Sequence, residues 1–277
     1  MSDLRIALPE TIEEAVELLV DETAIAVGGG TSVGMMLKAG LLDVETLVDL
    51  GRLGLSGITQ NADGTVSIGG TTTLREIANS PLSAPVLAHA AAVVGNPRVR
   101  SLATAGGAIV HGDPHQDLPP AVLALDGTVT LVSAEGTREV AISDFFVGFM
   151  ETACREDELV TEIRLAPGDR RTAYARFNPA SAEDYATVAV AAAVGLDSAG
   201  RIESARIALG GAGSTIVFVD EASTLLVGQT PDRELWRAAG DAAMRASDPS
   251  GDQRGSADYK RKMVGVFTER ALAEALR

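Results

Sequence analysis

The chain has 277 residues, 46% of them hydrophobic, and a formal net charge of −15. This length and composition can fill one large core or two smaller ones, whereas the negative charge argues against a nucleic-acid partner, because phosphate contacts need a basic surface. No window approaches the roughly 18 unbroken apolar residues of a membrane span, and no secretory signal pattern opens the chain, so we expect a cytoplasmic protein. The single cysteine, Cys154, excludes an internal disulfide and an iron–sulfur cluster ligated by this chain alone.

The opening segment, to about residue 54, predicts a small β–α–β unit. Thr11 and Glu14 have the spacing of a helix capping box, which predicts a helix of about ten residues. The apolar runs at 24–27 and 46–50 predict two strands, and a glycine-rich turn with a short helix at 33–38 lies between them. These elements together form a compact β–loop–α–β unit.

The remainder of the chain favours an α+β fold. From residue 55 to 168, short β-patterned runs alternate with helical inserts, which predicts a larger mixed sheet with helices. Turn and charge signals around Pro167 predict a boundary there. We thus expect an N-terminal domain at 1–168, with subdomains at about 1–54 and 55–168. A C-terminal domain at 169–277 would hold a small antiparallel sheet, with a turn at 197–200, and helices.

Three consecutive glycines, Gly28-Gly29-Gly30, form a turn whose backbone can come close to a ligand or to another part of the chain. Glycine allows positive φ and exposes N–H donors to an anion. Neither common nucleotide fingerprint is met, because Val33 stands where G-x-G-x-x-G needs glycine and Met35 stands where the P-loop needs lysine. Two interpretations remain: a structural turn, or an anion-binding helix N-terminus to which Thr31 and Ser32 add hydroxyl groups.

A second glycine turn repeats this arrangement at Thr104 and Gly106-Gly107, and two such turns could hold a pyrophosphate from two sides. Histidine and aspartate alternate between residues 111 and 117 in the manner of metal ligands. Pro114 disrupts strand geometry there, so we predict no metal and interpret the two histidines as surface residues. No nucleophile elbow and no acid–base constellation is evident, so we predict no catalytic residue and expect a cofactor to supply the chemistry.

Five segments in one order resemble the FAD-binding medium subunits of molybdenum hydroxylases, the family of the carbon monoxide dehydrogenase medium chain and the xanthine dehydrogenase flavin domain. They are GGGTS (28–32) followed by KAG (38–40), TAGGA (104–108), HGDPHQDLPPAVLALDG (111–127), SDFFVGFMETACREDELVTEI (143–163) and DQRGSADYKRKMVGVFTERAL (252–272). The resemblance covers nearly the whole chain.

The resemblance implies FAD contacts from two loops and five single positions. These are Val27, Gly28, Gly29, Gly30, Thr31, Ser32, Val33 and Gly34; Thr104, Ala105, Gly106, Gly107 and Ala108; and Asp117, Leu159, Val160, Arg176 and Tyr185. It implies that the loops hold the pyrophosphate and adjoining groups. Asp117 would lie near the ribityl or ribose part, the backbone of Leu159 and Val160 on the flavin side, Arg176 near FAD as a basic residue, and Tyr185 close to the isoalloxazine ring.

Two positions depart from the family pattern. Ala108 replaces the usual Asn or Ser, so a side-chain hydrogen bond is lost, and we expect the loop amides to compensate. In the segment 177–186, Ala180 and Ala182 stand near a position where relatives often carry an arginine, which lowers the local positive charge. Both departures could change flavin affinity or potential.

The resemblance also implies a function and partners. Electrons would pass from a molybdenum cofactor in a large subunit, through [2Fe-2S] clusters in a small subunit, to FAD in this chain and then to an external acceptor. We expect a dimer of such heterotrimers. Two alternatives are a stand-alone FAD-dependent reductase or oxidase, and a non-catalytic nucleotide-binding assembly subunit. NAD, a quinone and oxygen are all open as acceptors.

Overall fold

The computed structural model describes residues 4–277, which begin with a three-stranded parallel sheet. Its elements are β1 (Arg5–Ala7), α1 (Ile12–Leu18), β2 (Ala24–Val27), α2 (Thr31–Lys38) and β3 (Thr46–Asp49), and the strand order is β1-β3-β2. The Thr11 hydroxyl caps α1 by accepting from the amide of Glu14. Helix α1 packs on Val48 and is three residues shorter than expected. Helix α2, by contrast, contains no buried residue.

The middle of the chain forms a five-stranded sheet with helices packed on it. Its elements are β4 (Ile58–Gln60), β5 (Val66–Gly69), α3 (Leu74–Asn79), α4 (Pro85–Ala92), α5 (Pro97–Arg100), α6 (Ala105–Val110), α7 (Leu118–Ala124), β6 (Thr128–Ser133), β7 (Gly136–Ala141), β8 (Phe146–Gly148), β9 (Glu151–Thr152) and β10 (Leu159–Leu165). The order is β4-β5-β10-β6-β7, and every pair is antiparallel, whereas we expected a mixed sheet. Strands β8 and β9 form a separate hairpin.

The C-terminal part is a four-stranded antiparallel sheet covered by helices. It comprises β11 (Arg171–Phe177), β12 (Val188–Leu196), β13 (Ile202–Gly210), β14 (Val217–Phe218), α8 (Asp220–Leu226), α9 (Arg233–Ala246) and α10 (Ala257–Ala275). The expected turn at 197–200 joins β12 to β13, with the amide of Asp197 donating to Arg201. This part therefore has the architecture that the sequence predicts.

Strand β12 has both faces buried. Ala189, Ala191 and Ala193 belong to the core shared with α4 and α7, while the alternate Val188, Val190 and Val194 pack toward α9 and α10. Burial on both faces produces a continuous apolar run in place of alternation. The α+β fold class is thus confirmed, and one strand lies between two cores. No helix within residues 4–277 is long and apolar enough to span a membrane.

Candidate functional site

The first glycine turn leaves the N-terminus of α2 without a cap. Gly30 adopts φ +67°, and no side chain caps the helix. In the described part of the chain, the amides of residues 29–33 have no hydrogen-bond acceptor, while the amide of Gly34 already donates to Gly30. The hydroxyls of Thr31 and Ser32 stand in the same half-buried turn. Unpaired amides at a helix N-terminus bind anions.

Gly28 and Gly29 have a different role, which is contact with the second glycine turn. A Cβ at Gly29 would overlap the carbonyl oxygen of Leu102, and one at Gly28 would lie 2.5 Å from Thr104 Oγ1. The two loops touch each other, as two parts of one site must. The missing side chains of these two glycines are therefore required by the packing of protein against protein, while the amide of Gly29 is still among the free donors.

The amides of the second loop are already used. Ala105 N donates to Thr72 O and Gly106 N to Gly70 O, both at 2.8 Å. Gly107 N donates to Thr104 Oγ1 at 3.3 Å, and Ala108 N donates to Thr104 O. This differs from our expectation that the loop amides compensate for the missing side chain at Ala108, because their acceptors lie within the protein.

Leu159 and Val160 lie in β10 beyond the point where β5 ends. Their backbones pair with β6 on one side only, and a Cβ at Gly70 would overlap Val160 O. The side chain of Leu159 packs in the α1 core, and that of Val160 lies beside Gly106. The structure thus brings Val160 to the second glycine turn, while both side chains serve as core.

Asp117 forms a buried cluster with Tyr174 and Arg176. The Tyr174 hydroxyl donates to Asp117 Oδ1 at 2.7 Å, and Arg176 Nε lies 3.1 Å from the same oxygen. Burial raises the pKa of Asp117 to about 6, against the lowering effects of the Arg176 charge and the Tyr174 hydrogen bond. Burial also raises the pKa of Tyr174 well above its ordinary value. The cluster places one negative and one positive group beside each other with little water.

Tyr185 lies in the segment between β11 and β12 that Arg176 and Asp184 hold in place. The guanidinium of Arg176 donates to the carbonyl oxygens of Val93 (2.9 Å), Ala182 (3.2 Å) and Asp184. The ring of Tyr185 is 36% exposed, and burial, followed by the charges of nearby carboxylates, raises the pKa of its hydroxyl. Tyr185 is therefore partly covered by the protein and partly open to a ligand.

Unpaired polar atoms concentrate at the same segment. Within residues 4–277, four buried side-chain atoms lack a hydrogen-bond partner, and two of them, Asn178 Oδ1 and Thr187 Oγ1, lie in this segment. A third, Arg176 Nε, has only its ion-pair contact with Asp117. Buried polar atoms are normally paired, so such a cluster indicates a missing ligand or water.

Two grooves, of about 680 and 330 Å³, lie elsewhere on the surface and are not lined by any predicted site residue.

The predicted site residues therefore form two groups. The turns at 27–34 and 104–108 meet near Val160, and Asp117, Arg176 and Tyr185 meet around the segment 178–187. The sequence analysis did not identify Gly70 and Thr72, whose carbonyl oxygens accept hydrogen bonds from the second turn. It also did not identify Asp184, whose carbonyl oxygen accepts from Arg176. The Gly69-Gly70 pair was a visible signal for the first of these.

The two histidines differ from our expectation of surface residues. His111 and His115 are half-buried, and His115 Nδ1 lies 3.3 Å from Asp113 Oδ1. Burial lowers the pKa of His111. Both belong to the segment that leads from the second glycine turn to Asp117, and the packing of that segment covers them.

Comparison with known families decides which class of protein this is. The FAD binding domain of molybdopterin dehydrogenases matches residues 2–167, and the C-terminal domain of the CO dehydrogenase flavoproteins matches residues 172–275. The chain belongs to this flavoprotein family. Its fold and its recognised segments agree with the resemblance seen in the sequence, so the family expectation is confirmed.

Individual members of the flavoprotein family resemble the chain along its whole length. The carbon monoxide dehydrogenase medium chain of Hydrogenophaga pseudoflava is 34% identical over 96% of this chain and 95% of its own. The 6-hydroxypseudooxynicotine dehydrogenase complex subunit alpha of Paenarthrobacter nicotinovorans is 32% identical, over 96% and 92%. Relatives of this family are thus subunits of multi-subunit dehydrogenases.

Solved structures of the family superimpose closely on this chain. A carbon monoxide dehydrogenase chain from Hydrogenophaga pseudoflava matches with a TM-score of 0.93 at 33% identity, covering 99% of this chain and 97% of that one. A chain of quinoline 2-oxidoreductase from Pseudomonas putida 86 matches with a TM-score of 0.93 at 27% identity, over 100% and 97%. The fold class is therefore the family's own.

Proposed function

We propose that this chain binds FAD and transfers electrons from iron–sulfur clusters of a partner subunit to an external acceptor, as the FAD subunit of a molybdenum hydroxylase. The observation that carries the proposal is the uncapped N-terminus of α2, where the amides of residues 29–33 have no acceptor within the described chain. A pyrophosphate supplies the oxygen acceptors and the negative charge that such a turn lacks.

The residues around this turn fit FAD in their chemistry. Thr31 and Ser32 would add hydroxyl donors for phosphate oxygens. In the segment 178–187, the unpaired atoms of Asn178 and Thr187 would offer polar contacts to other parts of the cofactor. The flavin, when bound, supplies the electron-transfer chemistry through its ring. The protein would hold the phosphates at α2, keep Arg176 beside the buried carboxylate of Asp117, and place the partly exposed Tyr185 near the ring.

Partner subunits carry the other redox centres in this proposal. Cys154 is the only cysteine, so the [2Fe-2S] clusters need another chain, and a large subunit would hold the molybdenum cofactor. The names "medium chain" and "complex subunit alpha" of two relatives support such an assembly. A dimer of heterotrimers in the cytoplasm stays a prediction.

Replacing Ser32 by aspartate tests the assignment of the phosphate site. A carboxylate in the first turn of α2 suits the helix dipole, so the fold should be retained, but it repels phosphate. We expect the Ser32→Asp protein to lose FAD affinity by at least about tenfold, whereas Ser32→Asn, of equal size and no charge, retains most of it. Fluorescence titration with FAD measures both. Equal affinities in the two variants would refute the site at α2.

A further inference from the structure

The segment 178–187 between β11 and β12 is fastened on one side by its own neighbours. Asn178 Nδ2 donates to the carbonyl oxygens of Ser181 and, at 2.9 Å, of Asp184. Arg176 also donates to Asp184 O, so two side chains from the end of β11 hold the backbone at this residue. These bonds gather the segment but leave the carboxylate of Asp184 free for another partner.

That partner is Arg254, which is 70 residues away in the chain. Its Nη2 donates to Asp184 Oδ1 at 2.7 Å and its Nε to Oδ2 at 3.2 Å, a two-point contact with the carboxylate. The amide of Tyr185 donates to the same Oδ1 at 2.8 Å. Bidentate pairing of this kind fixes orientation as well as distance. Arg254 and the backbone of Tyr185 therefore share one carboxylate.

Arg254 is itself held in a tight turn. Its amide donates to Asp252 Oδ1 at 2.8 Å, and the Lys260 ammonium, only 2% exposed, lies 2.8 Å from that oxygen and 2.9 Å from Ser250 O. A buried ammonium paired in this way gives the turn little freedom to move.

The rest of the D-x-R-G-S-x-x-Y-K segment connects the turn to the other end of the loop. Gly255 has φ +152° and a Cβ there would lie 2.8 Å from the Tyr259 ring, so only glycine fits. The Tyr259 ring packs edge-on against Phe177, the last residue of β11, with centroids 5.8 Å apart. Ser256 caps α10 by accepting from the amide of Tyr259. The segment thus contacts the loop at its start and at Asp184.

We propose that Arg254 is a positioning residue: through Asp184 it fixes the loop 178–187 and sets the position of Tyr185 at the bound flavin. The claim that Arg254 fixes the loop, the loop part, rests on the ion pair alone. The claim that this positions Tyr185 at the flavin, the flavin part, also rests on the proposed function. Alanines at 180 and 182 leave Asp184 without a basic neighbour on its own loop, so the guanidinium comes from the C-terminal segment.

Hydrogen exchange of the flavin-free full chain tests the loop part. In Arg254→Gln, peptides covering 178–187 should exchange about tenfold faster than in the native chain, because a charge-assisted two-point contact is lost. Arg254→Lys, which keeps the charge but not the planar two-point geometry, should be intermediate. Arg245→Gln is the matched control, since Arg245 forms an exposed ion pair with Glu221 between α8 and α9. Unchanged exchange at 178–187 in Arg254→Gln would overturn the proposal.

The flavin part is tested by the midpoint potential of the FAD-loaded protein. If Arg254 acts through the ring of Tyr185, then Arg254→Gln shifts the potential in the native background but has no further effect in Tyr185→Ala, which lacks the ring, because the two changes are not additive. Equal shifts in both backgrounds, or no shift in either, would overturn the positioning role. Failure of every protein to bind FAD would refute the proposed function, while the exchange result would still judge the loop contact.

Discussion

Asp117 is a carboxylate with 4% exposure whose environment favours its protonated form. Burial is the largest effect on its pKa and raises it to about 6, although Arg176 and Tyr174 favour the charge. The folded chain therefore holds a proton at Asp117 that the unfolded chain has already released, over the range from about pH 4 to about pH 6. Keeping this charge buried at neutral pH costs stability even with Arg176 beside it, as residues kept for ligand binding often do.

The linkage gives a pH prediction for Asp117→Asn. Because the folded pKa is raised, the contribution of Asp117 to the free energy of unfolding is largest below about pH 4 and is lost as the pH rises through about 6. The variant lacks this titration. Urea denaturation at several pH values should therefore show the free energy of unfolding of Asp117→Asn rising relative to that of the native chain, by roughly 2–3 kcal/mol between pH 4 and pH 7.

The control for this experiment is Asp248→Asn, which alters a side chain that is 98% exposed. Its stability difference from the native chain should show no comparable trend over that range. A difference for Asp117→Asn that is constant with pH, or that moves in favour of the native chain as the pH rises, would contradict the assigned environment.

Single residues differ in how far the sequence could predict them. Asp117 stands in a recognised segment, and Arg176 stands at a position where the family resemblance implies a basic residue, so both could be named from the sequence. Tyr174, 57 residues from Asp117, and Arg254, 70 residues from Asp184, were not linked to these partners by any local pattern. Their pairing depends on how β11 and the turn before α10 pack, which a single sequence does not encode in its spacing.

At the level of secondary-structure elements, the two glycine turns differ in their backbone hydrogen bonds. The turn before α2 has unpaired amides, whereas the turn before α6 has none left to donate among residues 105–108. Similar glycine patterns thus differ in what they leave free: the first turn has amides available to a ligand, and the second uses those of residues 105–108 within the protein. The cap of α1 was predictable because Thr11 and Glu14 lie three residues apart, but the acceptors of the second turn, Gly70 and Thr72, come from another part of the sheet.

Gly29, in the first glycine turn, and Gly34, in α2, should differ in how replacement by alanine changes the stability of the protein. Gly29→Ala places a methyl group into the carbonyl of Leu102, so the loops must separate, and we expect a loss of about 2–4 kcal/mol in stability together with loss of FAD binding. At Gly34, within α2, a Cβ meets nothing within 4 Å, so Gly34→Ala should be neutral or stabilise by up to about 1 kcal/mol.

Thermal unfolding and FAD titration of the two variants check this contrast. The loop contact would be contradicted if Gly29→Ala were as stable as the native chain. A strongly destabilised Gly34→Ala protein would show instead that α2 is more closely packed than its unburied residues indicate.

At the scale of the whole molecule, β12 joins two cores. Ala189, Ala191 and Ala193 belong to the core that includes α4 and α7, and the alternate residues from Val188 to Val194 belong to the core that includes α9 and α10. The domains expected at 1–168 and 169–277 therefore share packed surface. The α+β class and the hairpin 197–200 were predictable from strand-like runs and turn residues. The layering of sheet and helices was not, because a strand buried on both faces has no alternation to show which face meets which partner.

The measurement that tests the central claim most directly is the flavin content of the purified native chain after reconstitution with FAD. The unpaired amides at α2 and the unpaired polar atoms near 178–187 predict one bound FAD per chain, with visible flavin absorbance that persists through gel filtration. A colourless protein that cannot be reconstituted with FAD would contradict the account.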